Sequence, residues 1–207
     1  MNRAGFFGAL LAMTLLVGAN RATARDEVMT NRSEIRATAD CVVENSSREV
    51  VALLATLPGS PGERRAGRKL KDIFAGCMGD GRDIDLDHLG GMRGAVAVAM
   101  VTHRPAGAPV VGGTPWYVSA SAGRAPRTDY DPVRLGTLEF GTCIMAAAPT
   151  ASDALVRAAP DSVAERQAIE ALRPVIAPCM THDMTVRLKP DDLRGVLGEP
   201  VYHALAG

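Results

Sequence analysis

The chain has 207 residues, with 23 Lys and Arg against 23 Asp and Glu for a formal net charge of zero, 47% hydrophobic residues and only 4% aromatic ones. That balance gives no overall attraction to nucleic acid or an anionic membrane, and the length allows one ordinary domain or two small ones. With so few rings, the core has to be built from Ala, Leu, Val and Ile, whose small side chains favour closely packed helices.

Residues 1–24 read MNRAGFFGALLAMTLLVGANRATA: Arg3, then an apolar run from Phe6 to Ala19, then Ala22-Thr23-Ala24. This is the pattern of a secretory signal peptide cut after Ala24. The apolar run is too short for a hydrocarbon layer of about 30 Å, so no stable membrane span is expected after cleavage. Removal takes Arg3 and Arg21 with it, and the remaining 21 basic and 23 acidic residues give a net charge of −2. Export to the periplasm or beyond makes an even number of cysteines a disulfide framework.

The four cysteines carry a repeat. Cys41 and Cys77 are 36 residues apart, and so are Cys143 and Cys179, with the second pair displaced by 102. At that offset, 12 of the 38 positions from Cys41 to Met78 are identical, among them Leu53, Pro58, Ser60, Glu63, Leu70 and Met78. Each copy is then one supersecondary unit. The expected organisation is a signal peptide (1–24), a helical repeat (37–101), a linker (102–136) and a second helical repeat (137–207).

In chain order, Ser46 and Glu49 form a capping box that opens a helix ending before Pro58. Ser60, Pro61 and Glu63 cap the next helix, and Ser162 with Glu165 repeat that cap. Ala66, Leu70, Ile73, Phe74 and Cys77 make one helical stripe, and Ala168, Leu172, Val175, Ile176 and Cys179 repeat it. In an antiparallel helix pair the start of the first helix lies beside the end of the second, so Cys41 pairs with Cys77 and Cys143 with Cys179. Each closure contributes about 3–4 kcal/mol on the chain-entropy account. Pro174 is expected to kink or shorten its helix.

Extended pieces are expected at 83–86 (DIDL) and 185–188 (TVRL). A third segment follows in each copy: LDHLGGMRGAVAVAM alternates like a strand at Val96, Val98 and Met100, but analogy with PDDLRGVLGEPVYHALAG makes both helices. Residues 102–136 are rich in Gly and Pro and hold the only tryptophan. They read as a surface linker, with Trp116 and Tyr117 as a hydrophobic hook for a repeat or a partner. The fold class is therefore mainly α: two tandem disulfide-stapled helical units, an internal duplication, joined by a Gly/Pro-rich linker.

The Cys143 to Cys179 interval, APCM at 177–180 and LRGVLGEPVY at 193–202 resemble a group of small exported alphaproteobacterial proteins with paired cysteines and an LRG-x-L-x-E-x-x-Y-like ending. The resemblance covers about the last 65 residues and, more weakly, the first copy. It implies a helical fold and an exported location, and no activity. Gly198 and Pro200 depart from the helix-friendly residues such an ending would carry, which bears on the length of the last helix.

Candidate chemistry is sparse. His88, His103, His182 and His203 have no partner at a recognised catalytic spacing, and H-E-x-x-H, G-x-S-x-G and S-x-x-K are absent from the sequence. Ser60 in PGSPG is a helix cap. Cys179 and His182 form a lone C-x-x-H, and the aspartates of DGRDIDLD at 80–87 lack the glycine of a calcium loop, so neither is assigned a metal. Arg64, Arg65, Arg68, Lys69 and Lys71 form a basic face of which the second copy keeps only Arg166 and Arg173. With Trp116 and Tyr117, this face is the candidate interaction surface. No catalytic residue and no cofactor is assigned. The expected function is that of a non-enzymatic envelope protein with a protein-interaction or structural role, its partner another envelope protein. The alternatives are a small periplasmic stress chaperone or immunity-type inhibitor, and an enzyme of unrecognised type.

Overall fold

The computed structural model describes residues 32–79, 89–105, 116–117, 129–180 and 189–206. The proposed signal peptide, the aspartates of 80–87, His88, His182 and the extended pieces lie outside the described residues. Seven helices are assigned among the described residues: α1 (Arg32–Leu54), α2 (Pro61–Met78), α3 (Leu89–Thr102), α4 (Pro132–Ala147), α5 (Pro149–Arg157), α6 (Val163–Cys179) and α7 (Pro190–Ala206).

The duplication is visible down to single backbone torsions. Inside α1, Ser46 leaves helical geometry at φ −153° and ψ 46°. At the matching place 102 residues on, Ala148 takes φ −144° and ψ 65° and separates α4 from α5. The first helix of each unit is therefore an elbow. It starts before its capping box, since α1 already runs from Arg32 and Ser46 sits at the bend. Pro149 follows the second bend at the first position of α5, where a missing N–H costs nothing.

A second matched pair marks the turn into the next helix. Gly59 has φ 76° and Asp161 has φ 59°, the left-handed region that glycine enters freely and aspartate tolerates. At Gly59 a side chain is excluded for another reason: a Cβ there would lie 2.5 Å from the Asp131 backbone nitrogen. Asp131 donates its N–H to the Pro58 carbonyl at 2.8 Å and caps α4, so the linker's end is tied to the first unit's turn.

Both second helices open as expected. The Glu63 N–H donates to Ser60 Oγ at 3.1 Å and the Glu63 carboxylate accepts from the Gly59 N–H at 2.6 Å. Glu165 does the same with Ser162 Oγ at 3.0 Å and the Asp161 N–H at 2.7 Å. Ala66, Leu70 and Phe74 are buried from α2, as are Ala168 and Leu172 from α6. Helix α6 runs through Pro174 and Pro178 to Cys179 instead of stopping at Pro174, held at its end by the disulfide.

The disulfides are Cys41–Cys77 and Cys143–Cys179, with Cα separations of 5.8 and 5.7 Å, inside the usual range. Each ties the first arm of an elbow to the end of the helix running back along it. No free cysteine is present among the described residues.

The third helices, α3 and α7, pack against each other and join the units into one body. Helix α3 buries Val96, Ala97, Val98, Ala99 and Val101 on nearly every side, and a helix surrounded by protein carries no polar stripe to break its apolar run. That explains why the segment alternates like a strand and is nonetheless a helix. Close approach is enforced by glycine. A Cβ on Gly94 would come within 2.7 Å of the Gly195 carbonyl, and one on Gly198 within 2.9 Å of the Gly94 carbonyl.

Helix α7 therefore needs Gly198, and it also runs through Pro200 to Ala206. Pro200 cannot donate to the Val196 carbonyl one turn earlier. That carbonyl faces Gly141 of α4, where a Cβ would be only 2.4 Å away.

Candidate functional site: a buried charge cluster and an exposed cationic face

Each unit drives an arginine from its third helix onto the capping glutamate of its second. Arg93 of α3 meets Glu63 at 3.2 Å, and Arg194 of α7 is paired with Glu165. All four residues are at most 6% exposed. Each arginine also donates to the carbonyl end of the elbow helix: Arg93 to Leu53 and Leu54 at 3.1 Å, Arg194 to Leu155 at 3.3 Å. A buried guanidinium is tolerable only when its donors are satisfied, and here it shares last-turn carbonyls with turn N–H groups, as at Leu53 and Leu155, and with His203 at Leu54.

Two further charges, both from helices of the second unit, join the pair of the first. Glu199 of α7 accepts from Arg93 Nε at 2.7 Å and from Arg93 Nη2, which joins the two halves. Arg134 of α4 grips Glu63 through both terminal nitrogens at 2.7 and 2.6 Å. Burial disfavours the charge on Arg93, but Glu199 and Glu63 outweigh it and raise its pKa. Burial likewise pushes the Glu199 carboxyl up, and Arg93 with His203 more than reverses this, holding it below the usual carboxylate range. A carboxylate so held is a poor proton acceptor, and the cluster's chemistry is positional: it fixes four helices, α2, α3, α4 and α7, and the end of α1 in one arrangement.

His203 lies against this cluster. Its Nε2 is 3.7 Å from Glu199 and 3.2 Å from the Leu54 carbonyl, and its ring stacks on Trp116 with centroids 4.3 Å apart. Tyr202 beside it carries Arg104 over its ring at 5.2 Å. Tyr117 is buried, which raises its phenol pKa although Thr142 opposes the shift through a hydrogen bond. The hook therefore docks on the chain's own second unit. Trp116 is half-buried and Tyr117 only 6% exposed, which takes Tyr117 out of the candidate interaction surface.

Among the other expected site residues, Arg64, Arg65, Arg68 and Lys69 are exposed on α2 and Lys71 is half-buried. His103 is exposed, 3.5 Å from Asp40. Among the described residues no group of His, Cys, Asp and Glu could hold a metal ion. None of the helices is long and apolar enough to cross a membrane, again among the described residues.

Sequence reasoning missed Arg93, Arg194 and Glu199. A signal was present: Met92-Arg93-Gly94 and Leu193-Arg194-Gly195 recur at an offset of 101. The repeat loses one residue after the second cysteine, so a fixed offset of 102 passes over them.

No protein-family profile matches the chain, and no curated protein or solved structure matches it. The two closed disulfides are those of a protein that matures in an oxidising, non-cytoplasmic compartment.

Proposed function

We propose that the protein is an exported, non-enzymatic envelope protein whose two pinned helical units form a rigid body that engages another protein. One observation carries the reading. The buried polar groups repeated in both halves, Glu63 with Arg93 and Glu165 with Arg194, are fully engaged in holding helices, whereas the halves differ on exposed positions of the second helices. Residues kept in both copies are explained by packing, and the differences are where a specific role has room. The apolar run of residues 6–19 and the disulfides support an envelope location, periplasmic or secreted.

The chaperone alternative draws less support. A holdase needs apolar surface, and the large hydrophobic side chains exposed among the described residues are the separate Val51, Val133 and Val163. The test is capture from an envelope extract by the immobilised protein, alongside an aggregation assay with an unfolded client. A single stoichiometric partner is expected, with no protection of the client. Protection of many clients without a defined partner would establish the chaperone reading instead, and loss of function on His103→Ala or His203→Ala in a folded protein would move the enzyme reading to the front.

A further inference from the structure

We infer that the outward face of α2, formed by Arg65, Arg68 and Lys69, is a docking surface for a short acidic segment of a partner protein. The inference rests on the binding role proposed above, and the duplication supplies its internal control. Helices α2 and α6 share the same caps, the same buried stripe and the same disulfide position. At the exposed positions of Arg65, Arg68 and Lys69, α6 carries Gln167, Glu170 and Ala171. The architecture thus forms without the three cations.

Among the described residues the fold pairs none of the three, and the one acid at helical spacing from them, exposed Asp72 at i+4 from Arg68 and i+3 from Lys69, forms no ion pair with either and faces three cations. Arg64 is accounted for, because it donates to the Gly59 carbonyl at 2.7 Å as Arg166 donates to Asp161 at 2.9 Å. Arg65, Arg68 and Lys69 have no hydrogen-bond or ion-pair partner among the described residues. Arg64 with Arg68 and Arg65 with Lys69 stand at i, i+4, and Arg65 with Arg68 at i, i+3, spacings at which like charges repel. In α6 the matching spacing is attractive: Glu170 bonds Arg173 at 2.5 Å. Arg65 additionally lies near the positive N-terminal end of its helix, where a cation is disfavoured. Cations kept at a cost to the helix, on its solvent side, are accounted for by an anionic partner that relieves the repulsion.

The partner's chemistry follows from the size and make-up of the face. From Arg64 to Lys71 it spans about 10 Å at 1.5 Å per residue, the reach of a few carboxylates and too short a track for an extended polyanion. Arginine forks match carboxylates in paired hydrogen bonds. A chain with a net charge of −2 once residues 1–24 are removed exerts no long-range pull on an anionic polymer or lipid surface, so recognition is local.

The experiment compares three chains: wild type, Arg65→Gln/Arg68→Glu/Lys69→Ala, which copies the second half, and Gln167→Arg/Glu170→Arg/Ala171→Lys, which copies the first half into α6. Each is titrated with a fluorescent peptide of Asp and Glu residues, with dextran sulfate and with vesicles containing phosphatidylglycerol, and its thermal unfolding is measured. Wild type is expected to bind the peptide, with affinity falling as salt is added. The α2 variant should lose at least about tenfold in affinity through the missing charge-assisted bonds, yet unfold at a higher temperature. The α6 variant should bind twice as much peptide per chain. The inference is overturned if the α2 variant is less stable than wild type, if it binds the peptide equally well, or if wild type binds the polymer or the vesicles and not the peptide. An α2 variant that still captures the wild-type envelope partner would remove this face and leave the binding role standing. Failure of wild type to capture any defined partner would remove the role itself.

Discussion

Replacing Arg93 by methionine tests the central physical claim, that a buried charge cluster sets the arrangement of the two halves. Arg93 is 2% exposed and bonds Glu199, Glu63, the carbonyls of Leu53, Leu54 and Thr56, and Thr56 Oγ1. Methionine fills similar volume and removes every donor. Glu63 keeps Arg134 and the Gly59 N–H, but Glu199 is left buried with only His203 nearby. Breaking a buried pair on one side costs about 3–5 kcal/mol. At about 2–4 °C per kcal/mol for a chain of this size, the Tm should fall by roughly 6–20 °C. Urea unfolding followed by circular dichroism, without reductant so that the disulfides stay closed, gives the free energy by linear extrapolation.

The pH dependence gives the sign independently. In the wild type, Glu199 sits below its unfolded value, so its contribution is present above the unfolded carboxylate range and is lost as pH falls through the folded value. In Arg93→Met, burial acts on Glu199 with far less opposition and pushes it up, so the penalty is largest at neutral pH and relaxes as the carboxyl takes a proton. The gap between wild type and variant should narrow between pH 7 and about pH 5. Adding Glu199→Met should recover much of the loss, since an uncharged, well-packed pair replaces an unpaired charge. A loss below about 1 kcal/mol, or a gap unchanged by acid, would refute the reasoning.

Three further outcomes are expected. Cys41→Ser with Cys77→Ser, and Cys143→Ser with Cys179→Ser, should each cost about 4 kcal/mol, because both loops span 36 residues; markedly unequal losses in urea unfolding would show that the halves do not share one architecture. Gly198→Ala, whose Cβ would meet Val98 Cγ2 at 2.7 Å, should destabilise by about 1–3 kcal/mol, whereas Gly136→Ala, with nothing within 4 Å, should stabilise by up to about 1 kcal/mol; similar effects at both sites would sink the close-approach account of α3 and α7. Trp116→Ala should cost about 1–3 kcal/mol as the ring leaves His203, and the fluorescence of this sole tryptophan should change on His203→Leu; an unaltered spectrum would mean that the ring is not docked there.

Much of the local architecture was legible in the sequence because it is local. A capping box needs a serine three residues before a glutamate, and an apolar stripe needs a 3.6-residue period, so Ser60, Glu63, Leu70 and their counterparts could be placed from one string of letters. The disulfide pairing followed because the interval between cysteines fits one antiparallel helix pair. The charged core was a different matter. Glu63 reads as a cap, and nothing in its neighbourhood announces that Arg93, 30 residues on, and Arg134, 71 residues on, converge on the same carboxylate. Glu199 has no counterpart in the first unit, where Val98 stands at the matching place, so the repeat could not point to it. The meeting of α3 and α7 through Gly94, Gly195 and Gly198 depends on how two units turn toward each other. The caps, apolar stripes and cysteine intervals within each unit answer to residues close in sequence, and the sequence alone determines them; the elbow at Ser46, the helical state of α3, the junction between the units, its buried charges and the docking of Trp116 on His203 answer to distances that exist only once the chain has folded.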